Sequence, residues 1–119
     1  MPITYNIPMI ESLLGSKTKE KILLYIYTNK EGYAREISDL FGYALDPVQK
    51  QLNKLEDNGV LISRKRGRTN SFSMNPRFPF KKELEALLEK ILYFTGKAEK
   101  EKYFIPRLRP RRRGKPLWK

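Results

Sequence analysis

Residues 33–75 fix an order that any fold of this chain must respect: two short helix-forming stretches, a break between them, and two strand-forming runs around a glycine. The first stretch, residues 33–41, sets Ala34, Ile37, Leu40 and Phe41 on one stripe and meets Gly42, a residue suited to the left-handed backbone that closes helices. The second opens on Asp46 and Pro47, the expected N-cap and first helical residue, and closes before Gly59. Between those marks Val48, Leu52 and Leu55 fall at i, i+4 and i+7, so only one narrow face of this helix can be buried. Residues 60–66 and 70–75 then read as strands, with Gly67, Arg68 and Thr69 between them. In the first strand either Leu61 or the pair Val60 and Ile62 faces inward; in the second, Phe72 and Met74 do.

The flanking segments extend this plan. Residues 1–8 form an irregular lead-in, and residues 9–14 a short apolar turn ending at Gly15. Ser16 is placed to cap a helix reaching about residue 28, with Ile22, Leu23, Ile26 and Tyr27 at one-turn spacing, followed by a turn over residues 29–32. After the rigid connector of residues 75–79, a last helix over residues 80–94 presents Leu84, Leu87, Leu88, Ile91 and Leu92 on one face. A length of 119 residues suits one domain with extensions. The expected fold class is α+β, mainly helical: a winged helix-turn-helix over residues 9–95, with a C-terminal helix and a basic C-terminal extension over residues 96–119.

The chain contains no cysteine and no histidine. Disulfides, thiolate chemistry, Cys/His metal sites and histidine acid/base catalysis are therefore excluded, and no cofactor or metal is expected. No phosphate-binding loop or paired acidic cluster occurs, so the chain does not read as an enzyme. The apolar run of residues 22–27 is far shorter than the ~20 residues of a membrane span, and no export signal opens the chain, so a cytoplasmic, nucleoid-associated protein with no membrane partner is expected.

Charge directs attention to polyanions: 25 basic against 13 acidic residues give +12. Residues 97–119 hold ten basic and two acidic residues, a net +8, which leaves +4 for residues 1–96. Three groups of side chains are candidates for contact. Projected around the helix axis, Lys50, Asn53, Lys54 and Asp57 lie opposite the Val48/Leu52/Leu55 stripe, with Gln49 and Gln51 flanking it. Gln49 and Lys50 near the helix start suit base edges in a major groove, whereas Lys54, a turn later, suits a phosphate; Pro47 and Asn53 complete the candidate recognition helix. The same residues would also make an ordinary solvated face. Around the hairpin tip, Arg64, Lys65, Arg66 and Arg68 flank Gly67, with Thr69 and Asn70 as neutral donors. Four phosphate contacts from such a loop would give a salt slope of about −3.6; edge-strand protection is the competing use of those charges. In the extension, Arg107, Arg109, Arg111, Arg112, Arg113 and Lys115 form a proline-interrupted basic arm able to follow phosphates or a narrow minor groove. Leu117 and Trp118 beside it are suited instead to docking on protein.

The runs beginning at Leu14 (LGSKTKEKIL), Tyr33 (YAREISDLFG), Val48 (VQKQLNKLEDNGVL) and Ser73 (SMNP) closely resemble small prokaryotic winged helix-turn-helix regulators of the ArsR/MarR-like superfamily. The resemblance covers about residues 10–95 and is closest to the single-domain branch whose members also occur fused ahead of nucleotidyltransferases. It implies a dimeric, double-stranded-DNA-binding transcription factor, with the helix from Pro47 as recognition helix and Gly67 at the wing tip. The chain departs from metal-sensing members, whose sensor sites use the cysteine and histidine missing here, and its arginine-rich extension matches no part of the family pattern.

A sequence-specific double-stranded DNA-binding transcriptional regulator, acting as a homodimer, is thus the expected function. The alternatives are an architectural DNA-binding protein that uses hairpin and extension without sequence preference, a protein-interaction module built on the same fold, and RNA binding, which charge alone does not distinguish. Operator, regulated genes, sign of regulation and any small-molecule effector are not written in the sequence.

Overall fold

The computed structural model describes residues 13–95. Of the expected helix over residues 9–14 only Leu13 and Leu14 fall among them, and both are helical. The lead-in of residues 1–8 and the extension of residues 96–119 lie outside the described residues. The elements run α1 (Lys17–Asn29), β1 (Gly32–Tyr33), α2 (Ala34–Phe41), α3 (Leu45–Asp57), β2 (Leu61–Arg66), β3 (Thr69–Met74) and α4 (Lys81–Phe94).

Helix α1 begins as the sequence predicts, with Ser16 Oγ accepting from Lys19 N–H at 3.0 Å. Its packing is broader than a single stripe. Seven successive residues, Glu20 to Ile26, are buried, because α1 is pressed by α3, α4, β1 and β3 from different sides. Tyr27, expected inside, is only partly buried, and its hydroxyl instead donates to Glu89 Oε1 of α4 at 2.7 Å.

Residues 29–32 are not simply a turn. Lys30 closes α1 in a left-handed conformation (φ 76°), and Gly32 and Tyr33 then form β1, which pairs with Phe72 and Ser71 of β3. A two-residue strand has no alternation to read, so only its pairing reveals it. The sheet order is β1-β3-β2, antiparallel throughout. Gly32 is required by proximity: a Cβ there would sit 3.1 Å from the buried Tyr25 ring.

The core is shared by every layer. Ile22, Leu24 and Ile26 of α1, Ile37 of α2, Val48 and Leu52 of α3, Leu61 and Phe72 of the hairpin and Leu88 of α4 are all essentially inaccessible. Each such side chain contributes about 1.5–3 kcal/mol by leaving water. Leu61, rather than Val60 with Ile62, supplies the inward face of β2. Phe72 is fully buried as expected, and Met74 partly so against the core.

Candidate nucleic-acid interface

The turn between α2 and α3 is locked locally. Gly42 takes φ 72°, Tyr43 N–H donates to Ser38 O at 3.1 Å, and Ser38 Oγ donates to Tyr43 O at 2.6 Å. Phe41 stacks on Tyr43 with ring centres 5.9 Å apart and meets the Tyr25 ring edge-on, which ties the turn to α1.

Helix α3 starts earlier than the Asp-Pro pair suggests. Its N-cap is Ala44, which offers no capping side chain, so Asp46 is not the cap and Pro47 is not the first helical residue. The shift costs little, since none of the first-turn N–H groups has an intrahelical partner for proline to remove. Asp46 still places a negative charge in the first turn, where the helix dipole favours it. The C-terminus closes as a Schellman motif: Val60 N–H donates to Leu55 O at 2.9 Å, Gly59 N–H to Glu56 O at 3.0 Å, and Gly59 takes φ 83°.

Burial of Val48, Leu52 and Leu55 turns the opposite face outward. Pro47, Lys50, Asn53, Lys54 and Asp57 are exposed, while Gln49 and Gln51 are partly covered. The polar side chains are already paired with one another. Lys50 Nζ lies 3.6 Å from Asp46 Oδ2, and Gln49 Nε2 donates to Asn53 Oδ1 at 3.0 Å, each across one helical turn. One-turn pairs of this kind are worth about 0.2–0.5 kcal/mol, whereas a good bidentate contact to a base gives about 1–3 kcal/mol of discrimination. These pairs orient the side chains without withholding them from a duplex.

The hairpin tip is tighter than expected. Thr69 belongs to β3 opposite Arg66, which leaves a two-residue loop of Gly67 and Arg68. Gly67 has φ 65° and Arg68 does not, the sign pattern of a type II′ turn. The register also divides the cations. Ser63 and Lys65 share a face with Leu61, opposite Phe72 and Asn70; Arg64 and Arg66 lie on the other face, opposite Ser71 and Thr69.

Two carboxylates from outside the hairpin hold it. Glu56, in the last turns of α3, accepts from Ser63 Oγ at 2.7 Å, so β2 is joined directly to the helix bearing the exposed polar face. Glu31, just before β1, accepts from Ser71 Oγ at 2.6 Å and lies 3.5 Å from the Arg66 guanidinium. At the hairpin base Asn75 Nδ2 donates to Gly59 O at 2.9 Å, and Asn75 N–H to Val60 O at 3.0 Å. Neither carboxylate was visible as a brace in the sequence, because the Glu31 contacts depend on strand register and the Glu56 contact on the path of β2 away from α3.

Helix-turn-helix and basic hairpin therefore lie side by side, linked through Glu56–Ser63. This is a winged helix-turn-helix fold. No protein-family model matches the chain, and comparison with curated protein sequences finds no match. Among solved structures, the chain is similar to a mutant of Lactococcus lactis ZitR in its apo form, at 19% identity and TM-score 0.51, over 80% of this chain and 79% of that one. It is also similar to the adhesin competence repressor AdcR of Streptococcus pyogenes, at 15% identity and TM-score 0.48, over 81% of each chain. At 19% identity the likeness to the ZitR mutant is one of fold.

Among the described residues, no group of three or more carboxylates is arranged to hold a metal ion, and no helix is long and apolar enough to cross a membrane. The basic arm of Arg107, Arg109, Arg111, Arg112, Arg113 and Lys115 lies outside the described residues.

Proposed function

We propose that this chain is a double-stranded DNA-binding transcriptional regulator of the ArsR/MarR-like kind, with α3 entering the major groove and the hairpin acting as a wing on the backbone or in a minor groove. The observation that carries this reading is the junction of α3 and β2: Glu56 and Ser63 join an exposed face bearing Pro47, Gln49, Lys50, Asn53 and Lys54 to a hairpin bearing Arg64, Lys65, Gly67, Arg68, Thr69 and Asn70. Helix and wing then move as one body, as binding across adjacent grooves requires.

A homodimer is part of the proposal. Leu13, before α1, and Phe80 and Tyr93, at the start and in the last turn of α4, are 65%, 63% and 64% exposed, an apolar display that a second copy would cover. Paired recognition helices would then read half-sites about one helical turn apart, roughly 34–36 Å. The protein acts without catalysis or a bound metal, in the cytoplasm with the nucleoid, and its basic extension adds affinity through phosphates.

Selection of bound sequences from a random duplex pool at near-physiological salt tests this reading. A two-fold symmetric motif is expected, with Lys50→Ala or Gln49→Ala changing the preferred bases and Arg64→Ala or Arg68→Ala weakening all sequences alike. Duplex binding without an enriched motif, lost on truncation after Gly96, would make the protein an architectural one that uses wing and extension. Failure to retain any duplex would leave the fold as a protein-interaction scaffold.

A further inference from the structure

Among the polar pairs of the helix-turn-helix and hairpin, Glu31–Arg66 differs in kind. Asp46–Lys50 and Gln49–Asn53 join neighbours on one helix, whereas Glu31 reaches across the sheet from the segment before β1 to a cation on β2. Its Oε1 accepts from Ser71 Oγ at 2.6 Å, and Ser71 is only 3% exposed on the central strand β3. A buried hydroxyl thus fixes the carboxylate, which in turn meets Arg66 at 3.5 Å. Glu31 precedes β1 and Arg66 stands on β2, with their side chains 44% and 45% exposed, so it is the Ser71 hydrogen bond that restricts the carboxylate before the contact forms.

Resting on the DNA-binding reading above, we propose that Glu31 is a positioning residue that withholds Arg66 from phosphate. The wing then offers Arg64, Lys65 and Arg68 to a duplex, and Arg66 straps the hairpin to the β1 side of the sheet. Competition favours this arrangement. If Arg66 turned to a phosphate, the Glu31 carboxylate, still held by Ser71, would be left as an uncompensated negative charge beside the DNA backbone. Closing the pair removes that repulsion. A wing of three cations has an expected salt slope of about −2.7, against about −3.6 for four.

The test compares the intact protein with Glu31→Gln and with Glu31→Gln/Arg66→Ala, in salt titrations of duplex binding followed by fluorescence anisotropy. Gln keeps an acceptor for Ser71 and removes only the charge, and the double variant restores the local charge balance without Arg66. Glu31→Gln is expected to steepen the slope by about 0.9, one additional phosphate contact, with the double variant matching the unaltered protein. If Glu31→Gln leaves the slope unchanged, or the double variant is flatter than the unaltered protein by about 0.9, Arg66 already contacts phosphate and the proposal is wrong. If the unaltered protein binds no duplex, the DNA reading falls separately. Elution from immobilised heparin, a sulfated polyanion, still decides the role of Glu31: Glu31→Gln eluting later with the double variant coeluting supports it, and an early-eluting double variant refutes it.

Discussion

Replacing Gly42 with alanine isolates what the α2–α3 turn asks of its backbone. Gly42 has φ 72° and ψ 24°, and a Cβ built there meets no heavy atom within 4 Å. The cost of Gly42→Ala is therefore conformational rather than steric, about 1–2 kcal/mol for an L-residue held in the left-handed region. Against a total stability of about 5–15 kcal/mol that is a measurable fraction. With a urea m value of about 1–3 kcal/mol/M, the unfolding midpoint should fall by roughly 0.3–2 M with the slope unchanged. Gly42→Asn should lose less, since asparagine tolerates this conformation. Gly32→Ala supplies the contrast: its penalty comes from the Tyr25 ring 3.1 Å away, so overpacking of about 1–3 kcal/mol is expected without any left-handed strain. Equal losses for alanine and asparagine at Gly42, or no loss for alanine, would refute the assignment of the turn's requirement to backbone conformation.

Leu52→Ala, at a fully buried position on the inner face of α3, should cost about 2–5 kcal/mol in the same denaturation assay, while Lys54→Ala on the exposed face should change stability by less than about 0.5 kcal/mol. Ser63→Ala removes the link to Glu56, so a loss of about 0.5–1.5 kcal/mol is expected, with hydrogen exchange rising in β2 more than in α1; uniform exchange would argue against a specific brace. The Tyr27 hydroxyl is held at a pKa of about 12, above its usual 10.0, first by its hydrogen bond to Glu89, with partial burial and the charges of Glu89 and Glu85 adding to the effect. Because the folded-state value is raised, the associated stability is fully present below pH 10 and is lost as pH rises through 12. In a spectrophotometric tyrosine titration the Tyr27 contribution, identified by its loss in Tyr27→Phe, should move toward pH 10 in Glu89→Gln; an unmoved titration would remove Glu89 as the cause.

Legibility in the sequence followed the range of the signal. Ser16, Gly42 and Gly59 marked helix ends correctly because capping and chain reversal are decided within a few residues. The stripe Val48, Leu52 and Leu55 identified the buried side of α3 for the same reason. The Asp46-Pro47 pair misled by up to two residues, since proline is tolerated anywhere in a first turn and aspartate is favourable near the N-terminus whether or not it caps. Strand β1 was missed because two residues have no periodicity, and the choice of Leu61 over Val60 with Ile62 needed the pairing partner. On the candidate interface, the exposed residues of α3 were readable from helix geometry. The unequal standing of the wing cations was not.

By itself the sequence determined the order of the helices and the hairpin strands, the helix ends at Ser16, Gly42 and Gly59, the inner faces of α3 and β3, and a charge distribution that places +8 of the +12 in residues 97–119. All of these depend on spacing and composition along the chain. Only the tertiary structure decided that α1 is enclosed on several sides, that β3 runs between β1 and β2, and that Glu31 and Glu56 hold the wing from two directions. Those outcomes depend on strand register and on how the elements turn back against one another, and spacing along the chain carries no record of either.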